Sequence, residues 1–146
     1  MSLEENKKIV RKSIEVINTK DLSSIEQMVA PDFVDHTRKM QGSEGLKQFL
    51  FMIYKSFPDF HLTIEDIIAE ENKVWVRLTI TATHTGEFFG LAPTSKKFTE
   101  PSVWIYRIAN SKIIEGWDVH DELDFYKKID AIENTEKGKK LFPRGK

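Results

Sequence analysis

The 146-residue chain has no cysteine. That excludes disulfides, thiolate nucleophiles, iron–sulfur clusters and cysteine zinc sites together. It also lacks an excess of charge of either sign: 22 basic residues against 23 acidic ones leave a net charge of −1. No basic stripe is available to grip nucleic acid or an anionic membrane surface. No run approaches the roughly 18 apolar residues of a spanning helix. The N-terminal M-S-L-E-E-N-K-K is charged and lacks the apolar stretch of a signal peptide, so a cytoplasmic protein is expected. No internal repeat, linker or low-complexity segment interrupts the chain. Aromatic residues, by contrast, are plentiful. Ten Phe, three Trp and three Tyr can line a cavity for a flat apolar ligand. The length and balanced composition predict one globular domain over residues 1–132 and a charged tail over 133–146.

The strongest periodic signal runs from Val74 to His84. Val74, Val76, Leu78, Ile80, Ala82 and His84 share one face, and Trp75, Arg77, Thr79, Thr81 and Thr83 share the other. Alternation over this length predicts a long strand with one apolar side. It delivers His84 at the end of that side, just before a Gly/Pro loop over residues 86–96. Ahead of it, Ser2 and Glu5 form a capping box for a helix carrying Ile9, Val10, Ile14 and Ile17. A short helix is expected around Leu22, Ile25, Met28 and Val29, and a brief extended segment at 33–37. A third helix from Ser43 carries Leu46, Phe49, Leu50, Ile53, Tyr54 and Phe57 at helical spacing, and Pro58 stops it. Strands are expected over 60–69, with an irregularity near Asp66, over 98–109 and over 112–119, followed by a short helix. In the last strand Ile113, Glu115, Trp117, Val119 and Asp121 share a parity, which turns His120 outward. Helices first and antiparallel strands after predict an α+β fold, with a twisted sheet curling around the third helix.

Four stretches carry a family resemblance: F-V-D-H at 33–36, F-P-D at 57–59, T-H-T-G-E-F-F-G-L-A-P-T at 83–94 and K-I-I-E-G-W-D-V-H-D at 112–121. In these the chain resembles the SnoaL-like polyketide cyclases (ester cyclases) of the NTF2-like superfamily. The resemblance implies an NTF2-like cone, a curved antiparallel β-sheet wrapped around N-terminal helices with an internal pocket. It implies a homodimer, a hydrophobic small-molecule ligand and intramolecular aldol ring closure with no metal or cofactor. It matches Asp121 to the family's catalytic carboxylate and His84 to the histidine of T-H-T-G. Trp104 stands where the characterised cyclases have a second histidine, and an indole can only donate a hydrogen bond.

Physical chemistry runs alongside. A carboxylate beside an apolar cavity is driven toward neutral pKa, and histidine titrates there unaided. Asp121 and His84, with His36 as a third candidate, can divide a proton transfer between them. Asp121 can equally cap the helix that starts at Glu122. His84 can equally be a structural core histidine, and His36 a turn residue. The spacing of these three does not demand a metal. Trp104, Trp117, Phe33, Phe49, Tyr54 and Phe89 are the candidates for contacting substrate. Trp75 and Arg77, on the opposite sheet face, suit a dimer interface. The alternative to an enzyme is a non-catalytic ligand-binding or stress-associated NTF2-like protein.

Overall fold

The computed structural model describes residues 2–142; the last four residues of the expected tail, 143–146, lie outside them. Helix α1 (Leu3–Thr19) begins at the expected capping box, with Glu5 N donating to Ser2 Oγ at 3.1 Å and Ser2 N to Glu5 Oε2 at 2.9 Å. Its Val10, Ile14 and Ile17 are buried. A 3-10 turn (Ile25–Gln27) follows, then β1 (Val29–Asp35), β2 (Met40–Gln41) and α2 (Gly42–Ser56). Four long strands come next: β3 (His61–Glu70), β4 (Lys73–Thr83), β5 (Lys97–Ala109) and β6 (Lys112–His120). Helix α3 (Glu122–Lys128) closes the family-like region, and α4 (Glu136–Leu141) forms within the expected tail.

Val29 departs from the short helix expected for it. Ile113 N donates to Met28 O at 2.8 Å, and Val29 pairs with Ile113, so sheet pairing claims the residue before a second helical turn can form. Pro31 lies where the β1–β6 register slips, between Val29 and Val34, so its missing N–H costs the ladder little.

The strand order is β2-β1-β6-β5-β4-β3. β1 runs parallel to β6, and the remaining pairings are antiparallel. Besides the β1–β6 slip, two further irregularities bend the sheet. In β3, Glu65 is skipped between Ile64 and Asp66, close to where the sequence predicts one. In β6, Ile114 is skipped: Ile108 pairs with Ile113 while Arg107 pairs with Glu115. The second bulge flips the inward face of β6 from Ile113 to Gly116, Asp118 and His120. The open, curved sheet wraps α1 and α2, and the core forms on its concave side around Val10, Ile14, Leu50, Ile53, Phe57, Val74, Val76 and Leu78. Asn18 fastens α1 to the β3 edge, with Asn18 Nδ2 donating to Leu62 O and Leu62 N to Asn18 Oδ1, both at 2.8 Å. Tyr54 on α2 donates its hydroxyl to Ile17 O at 2.7 Å and joins the two helices. Such polar ties between buried elements fix their relative position where apolar packing alone would tolerate sliding.

Candidate functional site

The concave face of the sheet does not fill completely. A cavity of about 400 Å³ opens between α2, the far ends of β5 and β6, the loop after β4, and α3. Phe49, Leu50, Ile53 and Phe57 line it from the helix side, and Ile80, Phe98 and Trp104 from the sheet. Phe88 and Phe89 of the loop and Phe125 and Tyr126 of α3 close its rim. Pockets of this size and composition suit a small organic ligand. A narrower cleft of about 50 Å³ lies deeper, and shares Arg38, Phe49, Leu50 and Trp104 with it.

One polar cluster interrupts the apolar wall. Asp118 is 8% exposed. Its Oδ1 accepts from Ser102 Oγ at 2.9 Å and faces His120 Nδ1 at 3.0 Å, while Arg38 Nη2 donates to Oδ2. Its backbone N–H donates to Thr37 Oγ1 at 2.9 Å. Register explains the cluster. Ser102 pairs with His120 and Trp104 with Asp118 on adjacent strands, so all four side chains share the inward face. Arg38 and Thr37 come from the turn after β1, which Asp35 shapes by accepting the backbone N–H of Thr37 at 2.9 Å and of Arg38 at 2.8 Å. His120 lines the large cavity. Its Nδ1 is committed to Asp118, and Nε2 makes no hydrogen bond among the described residues.

The charges follow. Burial pushes the Asp118 carboxyl up, but the bond to His120, the Arg38 guanidinium and the Ser102 hydroxyl outweigh it and hold Asp118 below its ordinary value. The hydrogen bond to Asp118 raises the His120 pKa above 6.5, against the opposing effect of its own burial. Glu100 also lines the cavity and is 3% exposed; burial pushes its carboxyl up, Lys128 partly offsets this, and the neighbouring Asp124 carboxyl adds to it.

The residues expected to carry chemistry are not gathered here. Asp121 caps α3, accepting Asp124 N at 2.9 Å on Oδ1, and is exposed. His84 is fully buried between Phe57 and Phe88, with Nδ1 accepting Thr94 N–H at 3.3 Å; burial lowers its pKa. His36 stacks on Trp117 with ring centroids 5.0 Å apart and approaches Glu115 at 3.6 Å. None of the three lines the large cavity. Among the described residues, no three His, Asp or Glu side chains come together as metal ligands. Of the expected contact residues, Trp104, Phe49 and Phe89 line the large cavity; Phe33 and Trp117 line only the deeper cleft. Tyr54 lines neither and has its hydroxyl pKa pushed up to about 12 by burial. His120 is the correction: the sequence parity turns it outward, and the bulge at Ile114 turns it in. The spacing D-x-H on one strand, with an acidic residue and a serine on the apolar face of the next, was the available signal for the cluster.

The cyclase DnrD of Streptomyces peucetius, which acts on aklanonic acid methyl ester, is 25% identical over 128 residues, covering 83% of this chain and 88% of DnrD. AclR from Streptomyces galilaeus, proposed to be a hydroxylase, superposes with a TM-score of 0.80 at 31% identity, covering 93% of this chain and 87% of AclR. TsrD from Streptomyces laurentii superposes with a TM-score of 0.83 at 18% identity, over 90% of this chain and 99% of TsrD, and shows the shared fold alone. The family model for the SnoaL-like polyketide cyclases matches residues 7–129, from α1 to the residue after α3, and the chain belongs to that family.

Proposed function

We propose that the protein is an acid/base enzyme that closes a ring in a hydrophobic polyketide ester by intramolecular aldol addition. The observation that carries this reading is the 3.0 Å contact of His120 Nδ1 with Asp118 at the wall of an aromatic cavity. Asp118 is saturated with donors, which makes it a poor base but a firm anchor. It holds the neutral imidazole with hydrogen on Nδ1 and the basic lone pair on Nε2, and stabilises the imidazolium that forms. His120 Nε2 takes a proton from the carbon next to a substrate carbonyl. The resulting enolate carbon bonds to a second carbonyl carbon, and the π pair of that carbonyl moves to its oxygen. The alkoxide then takes the proton back from His120, so no proton is gained or lost overall.

This reading gives the chemistry to His120 and Asp118 rather than to Asp121, His84 and His36. It also accounts for Trp104. The tryptophan takes the place where the resemblance implies a histidine, across from Asp118, and His120 brings an imidazole to the same carboxylate along the carboxylate's own strand. The relatives' substrates supply the assay. Aklanonic acid methyl ester incubated with the purified protein should yield a cyclised isomer of unchanged mass, faster than in buffer, as read by liquid chromatography with mass detection. Tight binding with no acceleration would favour the alternative, a non-catalytic ligand-binding protein, which Trp104 in the histidine's place also suggests.

A homodimer is part of the proposal. Ile68, Trp75, Ile105 and Trp117 pair in one row across four strands on the convex face, with Ile68 62% and Trp75 47% exposed. An apolar row of that kind on a sheet's outer side suits a second copy. Light scattering should give about twice the 17.0 kDa chain mass, and Trp75→Glu should return it to one. A wild-type mass of one chain would reject the dimer.

A further inference from the structure

Two buried polar groups on the cavity wall have no hydrogen-bond partner among the described residues and are left unspent by the chemistry above: the Trp104 indole N–H, which can only donate, and the Glu100 carboxyl. Arg38 and His120 are both committed to Asp118, and Thr37 accepts the Asp118 amide. Glu122 Oε1 accepts the Tyr126 hydroxyl at 2.8 Å. Glu100 differs. Among the described residues neither of its carboxyl oxygens meets a donor in hydrogen-bonding geometry, although the residue is 3% exposed and the Asp124 carboxyl beside it pushes the Glu100 carboxyl further up. Lys128 Nζ stands 3.0 Å from Oε1, close enough to offset the charge but off the hydrogen-bonding direction; it donates instead to Thr99 O at 2.7 Å. With the charge offset, the remaining cost is that of a buried acceptor without a well-placed donor, which a bound donor would repay.

Position narrows what would repay it. Glu100 is two residues from Ser102, and Ser102 is directly across from His120, so Glu100 is the diagonal neighbour of His120 on the same inward face. Both line one cavity. The missing partner must be a donor and must come from inside an apolar space. A cation is not called for, because Lys128 already supplies the compensating charge. A neutral hydroxyl fits.

We infer that Glu100 is a specificity residue that accepts a hydrogen bond from a phenolic or enolic hydroxyl of the ligand, while the ligand's body lies against the aromatic wall. This rests on the reading of the cavity as the substrate site and adds a requirement to it. The substrate presents a hydroxyl at a fixed distance from the carbon that His120 deprotonates. A site built to pair with a hydroxyl rejects the analogue that lacks one, because binding that analogue would leave the site's own buried oxygen unpaired.

Two probes of matching shape test this without a known substrate: 2-naphthol and 2-methylnaphthalene, titrated by fluorescence near pH 7, where the phenol is neutral. Wild-type protein should bind 2-naphthol about tenfold tighter or more. Glu100→Leu should erase the difference while keeping affinity for 2-methylnaphthalene. Lys128 keeps Asp124 at 2.9 Å in that variant, so no cation is stranded. Glu100→Gln, which keeps the shape and one acceptor, should fall between and serves if the leucine variant folds poorly. His120→Asn should keep the preference. Equal affinities in the wild type, or a preference that survives in Glu100→Leu, would overturn the inference and leave the cavity reading intact. Loss of the preference in His120→Asn would move the hydroxyl to His120 and overturn it too. Failure of both probes to bind would overturn the aromatic-ligand cavity along with it.

Discussion

His120→Asn is expected to lower kcat/KM for ring closure by about 100- to 10,000-fold, the range for losing a positioned general base. Asparagine is chosen because its amide nitrogen takes the place of Nδ1 and can still donate to Asp118, while nothing replaces Nε2. The fold should therefore survive, with near-unchanged melting temperature, and the loss should fall on kcat. The pH profile gives an independent reading. His120 acts as a base only when neutral, and Asp118 raises its pKa above 6.5. The rate should thus climb with pH and reach half-maximum above 6.5. Asp118→Asn removes the cause, so the rising limb should move to lower pH even as the maximal rate falls. Arg38 is 29% exposed in its side chain and can turn to water in that variant. Stability should follow the same pair. The raised His120 contributes stabilisation fully present below about 6.5 and lost as pH rises through its folded value. The lowered Asp118 contributes stabilisation present above 3.8 and lost as pH falls toward its folded value. Unimpaired turnover in His120→Asn would remove the histidine from the mechanism.

The fold was readable because its signals are local and periodic. Ser2 with Glu5, the stripe of α2 and the alternation of β4 each specify an element without reference to the rest of the chain. The irregularity near Asp66 was readable too, since the apolar phase changes between Ile64 and Ile67. The site was not, because it depends on one skipped residue. Ile113, Ile114 and Glu115 offer two equally good phases for β6, and only pairing with β5 and β1 decides between them. A one-residue change of phase exchanges the faces of everything beyond it. His120 therefore faces the cavity and Asp118 the deeper cleft, where strand parity alone puts both toward solvent, while Trp117 and Val119 turn outward. Asp121 lies past the strand, where parity no longer applies and the cap of α3 takes its side chain. The family-like stretch at 112–121 contains both aspartates, and sequence offers no way to choose between them without the bulge.

Gly86→Ala is expected to destabilise the protein by about 3 kcal/mol, at the upper end for overpacking against an unyielding neighbour, and to lower the melting temperature by roughly 10 °C. A Cβ at Gly86 would stand 2.0 Å from Lys55 O and 2.9 Å from the Lys55 carbonyl carbon. Both are backbone atoms at the end of α2, so no side chain can swing aside. The close approach is needed because the loop satisfies the helix terminus. Thr85 N and Gly86 N donate to Ser56 O at 3.2 and 3.0 Å, and Ser56 Oγ donates to Glu87 O at 2.6 Å. These bonds take up one of the carbonyls a helix C-terminus leaves without a partner. His84 closes the base of the same loop: its backbone N–H donates to Lys96 O at 2.9 Å, and its carbonyl accepts Ser95 N at 2.8 Å. The T-H-T-G stretch is thus a clasp that carries Phe88 and Phe89 to the cavity rim. Gly90 is the control, because its reason for being glycine is different. It has φ +83 and nothing within 4 Å of an added Cβ, so alanine there meets only the left-handed backbone cost of about 1–2 kcal/mol. A Gly86→Ala protein that melts with the wild type, or a Gly90→Ala protein that melts below Gly86→Ala, would show that the clasp does not govern the loop. If the clasp does govern it, Gly86→Ala should also weaken 2-naphthol binding, since the two phenylalanines at the rim lose their anchor while His120, on β6, keeps its bond to Asp118.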